Sequence, residues 1–302
     1  MQTIKNKSII WIDILKPTAK DIEFIKKQHK FHPIILDELS RPSVRARVEG
    51  YDSYLFLTYH IPTYDPILKT SKKAEIDFLI TKNTVITVHY EELEPINDFI
   101  RNLSANQNLK DIAMSDTGRL TYKILEDVIN FSLRQLRHIE ENVSFLNKEL
   151  FSGKESGMLK EISYAKRDIL DYRMISRPQE IILKSLRETG MSFWGTSINV
   201  YLSDLVGEHM KVLQQIENFK ETIESIEQTN AQLLHAKSTA IMQKFNVLAF
   251  LAVPMAFTMA FFTVGAVQQI TNFSFFTFVT TFIIVAILDI FLLIIFRKKK
   301  WL

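Results

Sequence analysis

Hydrophobic and polar positions are distributed unevenly along the 302 residues. Charged residues recur from Met1 to Lys244, whereas Phe245 to Phe296 carries one, Asp289. Within that second part, Phe245–Val267 reads FNVLAFLAVPMAFTMAFFTVGAV and Phe273–Phe296 reads FSFFTFVTTFIIVAILDIFLLIIF. Each is long enough for the ~20 helical residues that cross a bilayer core. The QQITN between them has room only for a turn, so the pattern predicts a transmembrane hairpin. Cytoplasmic flanks of membrane helices collect Lys and Arg. Lys237 and Lys244 precede the first span, and Arg297, Lys298, Lys299 and Lys300 follow the second. A multi-pass protein of the cytoplasmic membrane with both termini inside is therefore expected.

The first part divides again by period. Up to about Tyr90, short apolar runs alternate with a helical stretch: SIIWIDI, then PTAKDIEFIKKQ, then YLFLTYHIP, AEIDFLIT and NTVITVHY. Runs rich in β-branched and aromatic residues read as buried strands, and their alternation with a helix gives an α/β pattern. Thr18 with Asp21 three residues on forms a capping-box signature, which places a helix start after the first strand. Beyond Gly118 the period becomes helical. Leu120, Ile124, Val128, Leu136, Ile139, Val143, Leu146 and Leu150 trace one face of a helix ending near Ser152-Gly153. A second helix is predicted from about Ser156 to Arg177-Pro178, with a further short piece before Gly195. From Thr196 no strong breaker occurs before Pro254, so one helix is expected to run from the soluble part into the first span. Leu202, Val206, His209, Leu213, Ile216, Ile223, Ile226 and Leu233 supply its apolar face. The expected organisation is 1–118 as a cytoplasmic α/β domain, 119–195 as a helical hairpin region and 196–243 as a stalk. Transmembrane helices at 244–267 and 273–296 follow, joined by an external turn at 268–272 and ending in a basic tail at 297–302.

Composition excludes several function classes. The formal net charge of +3 is matched by the C-terminal cluster of basic residues, so no nucleic-acid partner is expected. With no cysteine, disulfides, thiolate metal sites and cysteine nucleophiles are ruled out. No pair among the seven histidines has the i, i+4 spacing of a helical zinc site. His29 and His32 are three apart, but Pro33 interrupts the helix and no acidic ligand is implied. Phosphate-cradling glycine motifs and the esterase elbow are absent, and no enzyme activity or organic cofactor is expected.

Inside the spans, three features carry chemistry. Pro254 leaves the carbonyl four residues earlier without its usual partner. Ala249, Ala252, Ala256, Ala260 and Thr263 recur at three- and four-residue spacing, a small-residue stripe suited to close helix packing or to lining a pore. Asp289 is the lone acid, two turns from Arg297 and on its face, close enough to pair with the basic tail or to stay neutral.

The whole chain resembles the CorA-type magnesium transporters. The resemblance rests on WIDILKPTAKDIEFI, FHPIILDELSRPSVRARVEGYDSYLFLTYH and FLITKNTVITVHYEE in the soluble part. It continues through YLSDLVGEHMKVLQQIENFKETIESI in the stalk to the closing KKKWL. It implies an α+β membrane protein with a cytoplasmic α/β/α domain, whose long stalk helix continues into the first of two C-terminal transmembrane helices. It also implies a funnel-shaped homopentamer in the lipid bilayer, with the first span lining the pore and the second outside it. The transported divalent cation would be magnesium, with cobalt or nickel as further cargo, and magnesium is also implied as a regulatory ligand.

Residue by residue, the resemblance assigns Thr239 to the inner mouth, Met242 and Phe245 to an apolar gate, and Ala249, Ala252, Ala256 and Ala260 to the line above it. Asp204 falls on an aspartate that binds regulatory magnesium between subunits, with Glu75 or Asp77 as candidate partners. The family's Gly-Met-Asn tripeptide at the end of the first span is missing here. Counting from Pro254, its positions hold Thr263, Val264 and Gly265. The connecting turn is also neutral, at Gln268, Gln269 and Asn272, where family members often carry acids. Two other readings therefore stand beside magnesium transport: a zinc or other transition-metal transporter of the ZntB-like branch, and a membrane-anchored sensor or scaffold that conducts nothing.

Overall fold

The computed structural model describes residues 1–153, 155–263 and 275–298. They fall into two compact units, Met1–Glu227 and Gln228–Leu302.

The first unit is built on a six-stranded sheet. In chain order the strands are β1 (Gln2–Asn6), β2 (Ile9–Leu15), β3 (Arg47–Gly50), β4 (Tyr54–Asp65), β5 (Thr70–Thr81) and β6 (Thr84–His89), and across the sheet they run β1-β2-β6-β5-β4-β3. Only β2 and β6 are parallel, in the register Ile12↔Ile86. The twelve-residue strands β4 and β5 pair along their whole length from Tyr54↔Thr81 to Asp65↔Thr70. Side chains alternate between faces along a strand, so both faces of these central strands need cover. Helix α1 (Ala19–Gln28) and the short α2 (Pro33–Glu38) supply one layer, packing Ile25, Ile35, Leu36 and Leu39 onto Ile12, Ile14, Phe56, Leu79 and Val88. The capping box forms as the spacing predicts: Thr18 N donates to Asp21 Oδ2 at 2.9 Å and Asp21 N donates to Thr18 Oγ1 at 3.3 Å.

The other layer comprises α3 (Glu94–Ala105), α4 (Gln107–Ala113), α5 (Thr117–Glu149) and α6 (Glu155–Trp194). Trp11 of β2 meets Phe99 of α3 with ring centroids 5.4 Å apart. All eight positions predicted for the apolar face of α5, from Leu120 to Leu150, are buried. The expected break at Arg177-Pro178 does not occur, since α6 runs unbroken through Pro178. The proline frees the carbonyl of Met174, which lies on a side open to water with its side chain 71% exposed. One residue on, Gln179 Nε2 donates to the Ile175 carbonyl at 3.3 Å, strengthening the turn. Helix α6 ends at Gly195, whose φ of 96° belongs to the left-handed region that favours glycine. A 3-10 turn (Thr196–Ile198) then leads into α7 (Asn199–Thr263). Gly190 permits a close approach there, because a Cβ on it would lie 2.7 Å from Leu202 Cδ1.

Helix α7 begins in this unit and buries Leu202, Val206, His209, Ile216, Ile223 and Ile226. His209 is neutralised by its surroundings: burial pushes its imidazole below the usual value, and Nε2 lies 2.9 Å from the Ser176 carbonyl. The remaining element, α8 (Phe275–Lys298), belongs to the second unit.

A polar block interrupts the apolar centre of the sheet. Thr58 of β4 faces Asp77 of β5, and His60 faces Glu75. Thr58 Oγ1 donates to Asp77 Oδ1 at 2.6 Å and the Tyr90 hydroxyl to Oδ2 at 2.9 Å. Glu75 accepts from the Ser43 amide at 2.7 Å and lies 3.1 Å from His60 Nε2. Glu75 and Asp77, the candidate partners of Asp204, are thus buried inside the unit and already engaged. Burial, reinforced by the adjacent Glu75, pushes the Asp77 carboxyl up to about 7. A carboxyl that binds its proton more tightly folded than unfolded stabilises the fold most in acid. Its contribution is lost as pH rises from the unfolded value of about 4 towards 7 and is constant above. Urea denaturation should show this decline across that interval, and Asp77→Asn should flatten it; an unchanged pH profile in the variant would place the proton elsewhere.

Candidate ion pathway

Within the second unit, α7 presents two different faces. Val247 and Thr258 are buried, with Leu251, Pro254 and Met255 half-buried between them. This three- and four-residue spacing defines one stripe of a helix. The matching stripe on α8 is Phe278, Phe282, Val285, Asp289, Leu292 and Phe296, of which Asp289 is the buried member. Phe250 and Phe296 meet edge-on with centroids 6.1 Å apart. Next to this contact, Gln243, Asn246, Val247, Phe250 and Phe296 line a cavity.

The residues assigned to a pathway lie on the other side of α7. Thr239, Met242, Phe245, Ala249, Ala252, Ala256 and Ala260 are all exposed. Position 249 is rotated about 200° from position 247 at ~100° per residue, so this line faces away from the stripe that packs on α8. Its upper half is small and uncharged, and its lower half carries a hydroxyl, a thioether and a ring. At its end, Thr263 is exposed and its Oγ1 donates to the Ala260 carbonyl at 2.8 Å. With its hydrogen turned inward along the helix, the hydroxyl keeps lone pairs to offer a cation or its water shell. Val264 and Gly265 lie outside the described residues, as do Lys299 and Lys300. Arg297 and Lys298 are exposed in the last turn of α8, where cations complement the negative end of the helix dipole.

Asp204 belongs to the first unit, on the second turn of α7. The Tyr122 hydroxyl lies 2.9 Å from its Oδ2 and 2.7 Å from Glu126 Oε1. Two carboxylates on different helices thus share one hydroxyl that has a single hydrogen to give. Lys123 sits 2.5 Å from the far oxygen of Glu126. Burial and the two carboxylates together hold the Tyr122 phenol well above its usual value, in the neutral form. Asp127, alongside, is also raised, first by burial and then by Glu126. The local field is therefore negative and only partly compensated. Among the described residues no group of three or more acidic or histidine side chains is arranged to hold a metal ion within one chain. Sequence reasoning singled out Asp204 and missed Tyr122 and Glu126. The signal available was their i, i+4 spacing on α5, but nothing in it tells that they meet a residue 82 positions on.

Residues 6–298 match the family described as CorA-like Mg2+ transporter protein. The chain belongs to that family. Its members are membrane transporters and not enzymes, and the two long apolar helices of this chain fit that setting. A curated relative, the cobalt/magnesium transport protein CorA of Thermotoga maritima, is 19% identical over 97% of this chain and 83% of its own length. The complete structure of the CorA magnesium transporter from Methanocaldococcus jannaschii superimposes with a TM-score of 0.80 at 18% identity, covering 98% of this chain and 92% of the other. The ZntB cytoplasmic domain from Vibrio parahaemolyticus also shares the fold, with a TM-score of 0.61 at 14% identity, covering 76% and 88% of the two chains. The CorA-like fold is thus carried by soluble α/β domain, long helix and apolar C-terminal helix alike.

Tyr122→Phe would leave Asp204 and Glu126 without their common donor. Losing a hydrogen bond to a charged acceptor costs about 1.5–3 kcal/mol, so thermal unfolding in metal-free buffer should shift down. The shift should be largely restored by millimolar magnesium if the cation takes the hydroxyl's place between the carboxylates; equal shifts with and without magnesium would show that no cation does.

Proposed function

We propose that this protein conducts divalent cations passively across the cytoplasmic membrane, magnesium foremost with cobalt and nickel as further cargo, through a pore formed by five copies of α7. The observation that carries this reading is the division of α7 into a face packed on α8 and an exposed face of small and uncharged residues. Assembled around an axis, the exposed faces enclose a path running from Thr239 through Met242, Phe245 and the alanines to Thr263, Val264 and Gly265. Met242 or Phe245 rings would close it by dewetting. A membrane potential of 100 mV acts on a divalent ion with about 4.6 kcal/mol, enough for a concentration ratio on the order of 10^3, so no chemical fuel is needed. Strongly hydrated magnesium sheds water reluctantly, and a ring of Thr263 hydroxyls with Gly265 carbonyls would handle it as a hydrated ion. In this reading residues 1–243 are cytoplasmic, 268–272 form the external turn, 297–302 form a cytoplasmic basic tail, and Asp204 with Glu126 holds a regulatory magnesium.

Two observations favour other readings. The shared fold with a ZntB cytoplasmic domain supports a zinc or transition-metal cargo. The loss of the tripeptide and of any carboxylate between Glu227 and Asp289 supports a non-conducting sensor or scaffold.

Purified protein in liposomes under an inside-negative potential should admit magnesium. Uptake of zinc alone would move the assignment to the ZntB-like branch, and silence towards every divalent ion would leave the scaffold. Thr263→Trp should reduce flux at least tenfold; unaltered flux would remove this residue from the path. Asp204→Ala should abolish the protection that millimolar magnesium gives the soluble part against protease, and retained protection would move the regulatory site elsewhere.

A further inference from the structure

The second unit, Gln228–Leu302, carries by sequence six Lys and Arg side chains and one acidic side chain, Asp289. Lys237 and Lys244 precede the first apolar run, and Arg297 to Lys300 follow the second. Asp289 does not neutralise them, since it is buried and neither of its oxygens has a hydrogen-bond partner. Lys244, Arg297 and Lys298 are exposed, and none of the three forms an ion pair among the described residues. Uncompensated cations at the edge of an apolar hairpin attract anions from outside the chain.

The class of anion is set by the cavity beside them. Gln243, Asn246, Val247 and Phe250 recur at three- and four-residue spacing and so occupy one side of α7. The Phe250–Phe296 ring contact brings the end of α8 to this level. Together with Phe296 these residues line a cavity of about 490 Å³, within the roughly 300–1,000 Å³ of ligand pockets. Its chemistry is graded along the helices. Val247 is buried and, with the two rings, makes one end hydrocarbon. Gln243 lies about 10 Å from Phe250 along α7 at 1.5 Å per residue. Both Gln243 and Asn246 are exposed, and their amides have no hydrogen-bond partner among the described residues. Lys244 stands between them in sequence, and Arg297 and Lys298 follow Phe296 directly.

We propose that this cavity seats an anionic phospholipid, with its phosphate near Lys244, Arg297 and Lys298, its glycerol esters at the amides of Gln243 and Asn246, and the start of an acyl chain on Val247, Phe250 and Phe296. Cation, amide and hydrocarbon follow one another in the order of headgroup, ester and chain. Other occupants match only part of this sequence of chemistries. A second copy of this chain brings the same excess of cations and, by sequence, no acid between Glu227 and Asp289. A zwitterionic lipid fills the apolar end but carries a cation of its own, so the charge stays uncompensated. A soluble phosphate answers the charge and leaves Val247 and the rings uncovered. The inference rests on the hairpin lying in a membrane and not on which ion, if any, is carried.

Lipid retention by the full-length protein tests it without reference to transport. The protein is exchanged into detergent micelles containing equal amounts of dioleoyl phosphatidylglycerol and dioleoyl phosphatidylcholine, and bound lipid is read by native mass spectrometry. Phosphatidylglycerol should be retained over phosphatidylcholine by at least about fivefold, the factor that a single basic side chain supplies beside an anionic lipid. Equal retention, or retention of neither, would overturn the proposal. Combining Lys244→Gln, Arg297→Gln and Lys298→Gln should erase the preference, and a preference that survives would equally overturn it. Asn246→Trp separates the cavity from diffuse attraction to the basic residues. The position is exposed, so the added ring fills the cavity without entering the packed stripe, and phosphatidylglycerol retention should fall by a similar factor with every cation in place. Gln243→Trp repeats the test from the other exposed position, with circular dichroism showing that each variant is folded. Undiminished retention in both folded variants would assign the lipid to the basic residues at large and remove the cavity as its site.

Discussion

Hydrocarbon offers no hydrogen bonds, and this constraint organises the C-terminal part of the chain. Every backbone amide and carbonyl in such a medium has to be satisfied within its own segment, which accounts for the helices of Phe245–Thr263 and Phe275–Lys298 and puts all selectivity of contact into side-chain faces. Helix α7 resolves the demand by dividing its circumference. Val247, Leu251, Pro254, Met255 and Thr258 turn to α8, and the alanine line turns away. Pro254 is tolerated inside this helix because the neighbouring turn is reinforced by the Thr258 hydroxyl bonding back to the proline carbonyl. Small residues on the outer line keep the backbone accessible to whatever packs or passes there, without adding polar groups that the medium could not satisfy.

The soluble unit answers the opposite problem. Its sheet is covered on both faces, so polar side chains on β4 and β5 have no water to turn to. They form cross-strand pairs instead, Thr58 with Asp77 and His60 with Glu75, completed by Tyr90 and by the Ser43 amide. Satisfied networks of this type hold a core in one arrangement. Here the network also ties the segment after α2 to the sheet, since the amide and the carbonyl of Ser43 are bonded to Glu75 and Lys73 respectively.

Much of this was legible in the sequence, and the limits have physical causes. The apolar runs of β2, β4, β5 and β6 and the Thr18–Asp21 box are strong because local pattern and burial agree. The edge strands β1 and β3 escape notice since QTIKN and RVEG have little burial to record. Short helices such as α2 and α4 lack the length for a period to show. Pro178 reads as a stop only where the freed carbonyl has nowhere to go, and the exposed side of α6 removes that condition. At the pathway, the three- and four-residue spacing is visible in the string, but which side of α7 meets α8 is decided by contacts such as Phe250 with Phe296. Tyr122, which joins Glu126 to Asp204, depends on a meeting between distant segments and leaves no mark in either segment alone.

The parallel pairing of β2 with β6 bears on how the chain is made. The β4–β5 ribbon can zip up from its own turn, but β2 stays unpaired on that side until β6 has been synthesised, because its partner Ile86 lies far along the chain from Ile12. Once β6 is out, roughly 150 further residues separate it from the first apolar span, which at ~5–20 residues per second is on the order of 10 s of elongation. The sheet can therefore close in water well before the hydrophobic hairpin leaves the ribosome, so β2 and β6 are paired before the spans emerge.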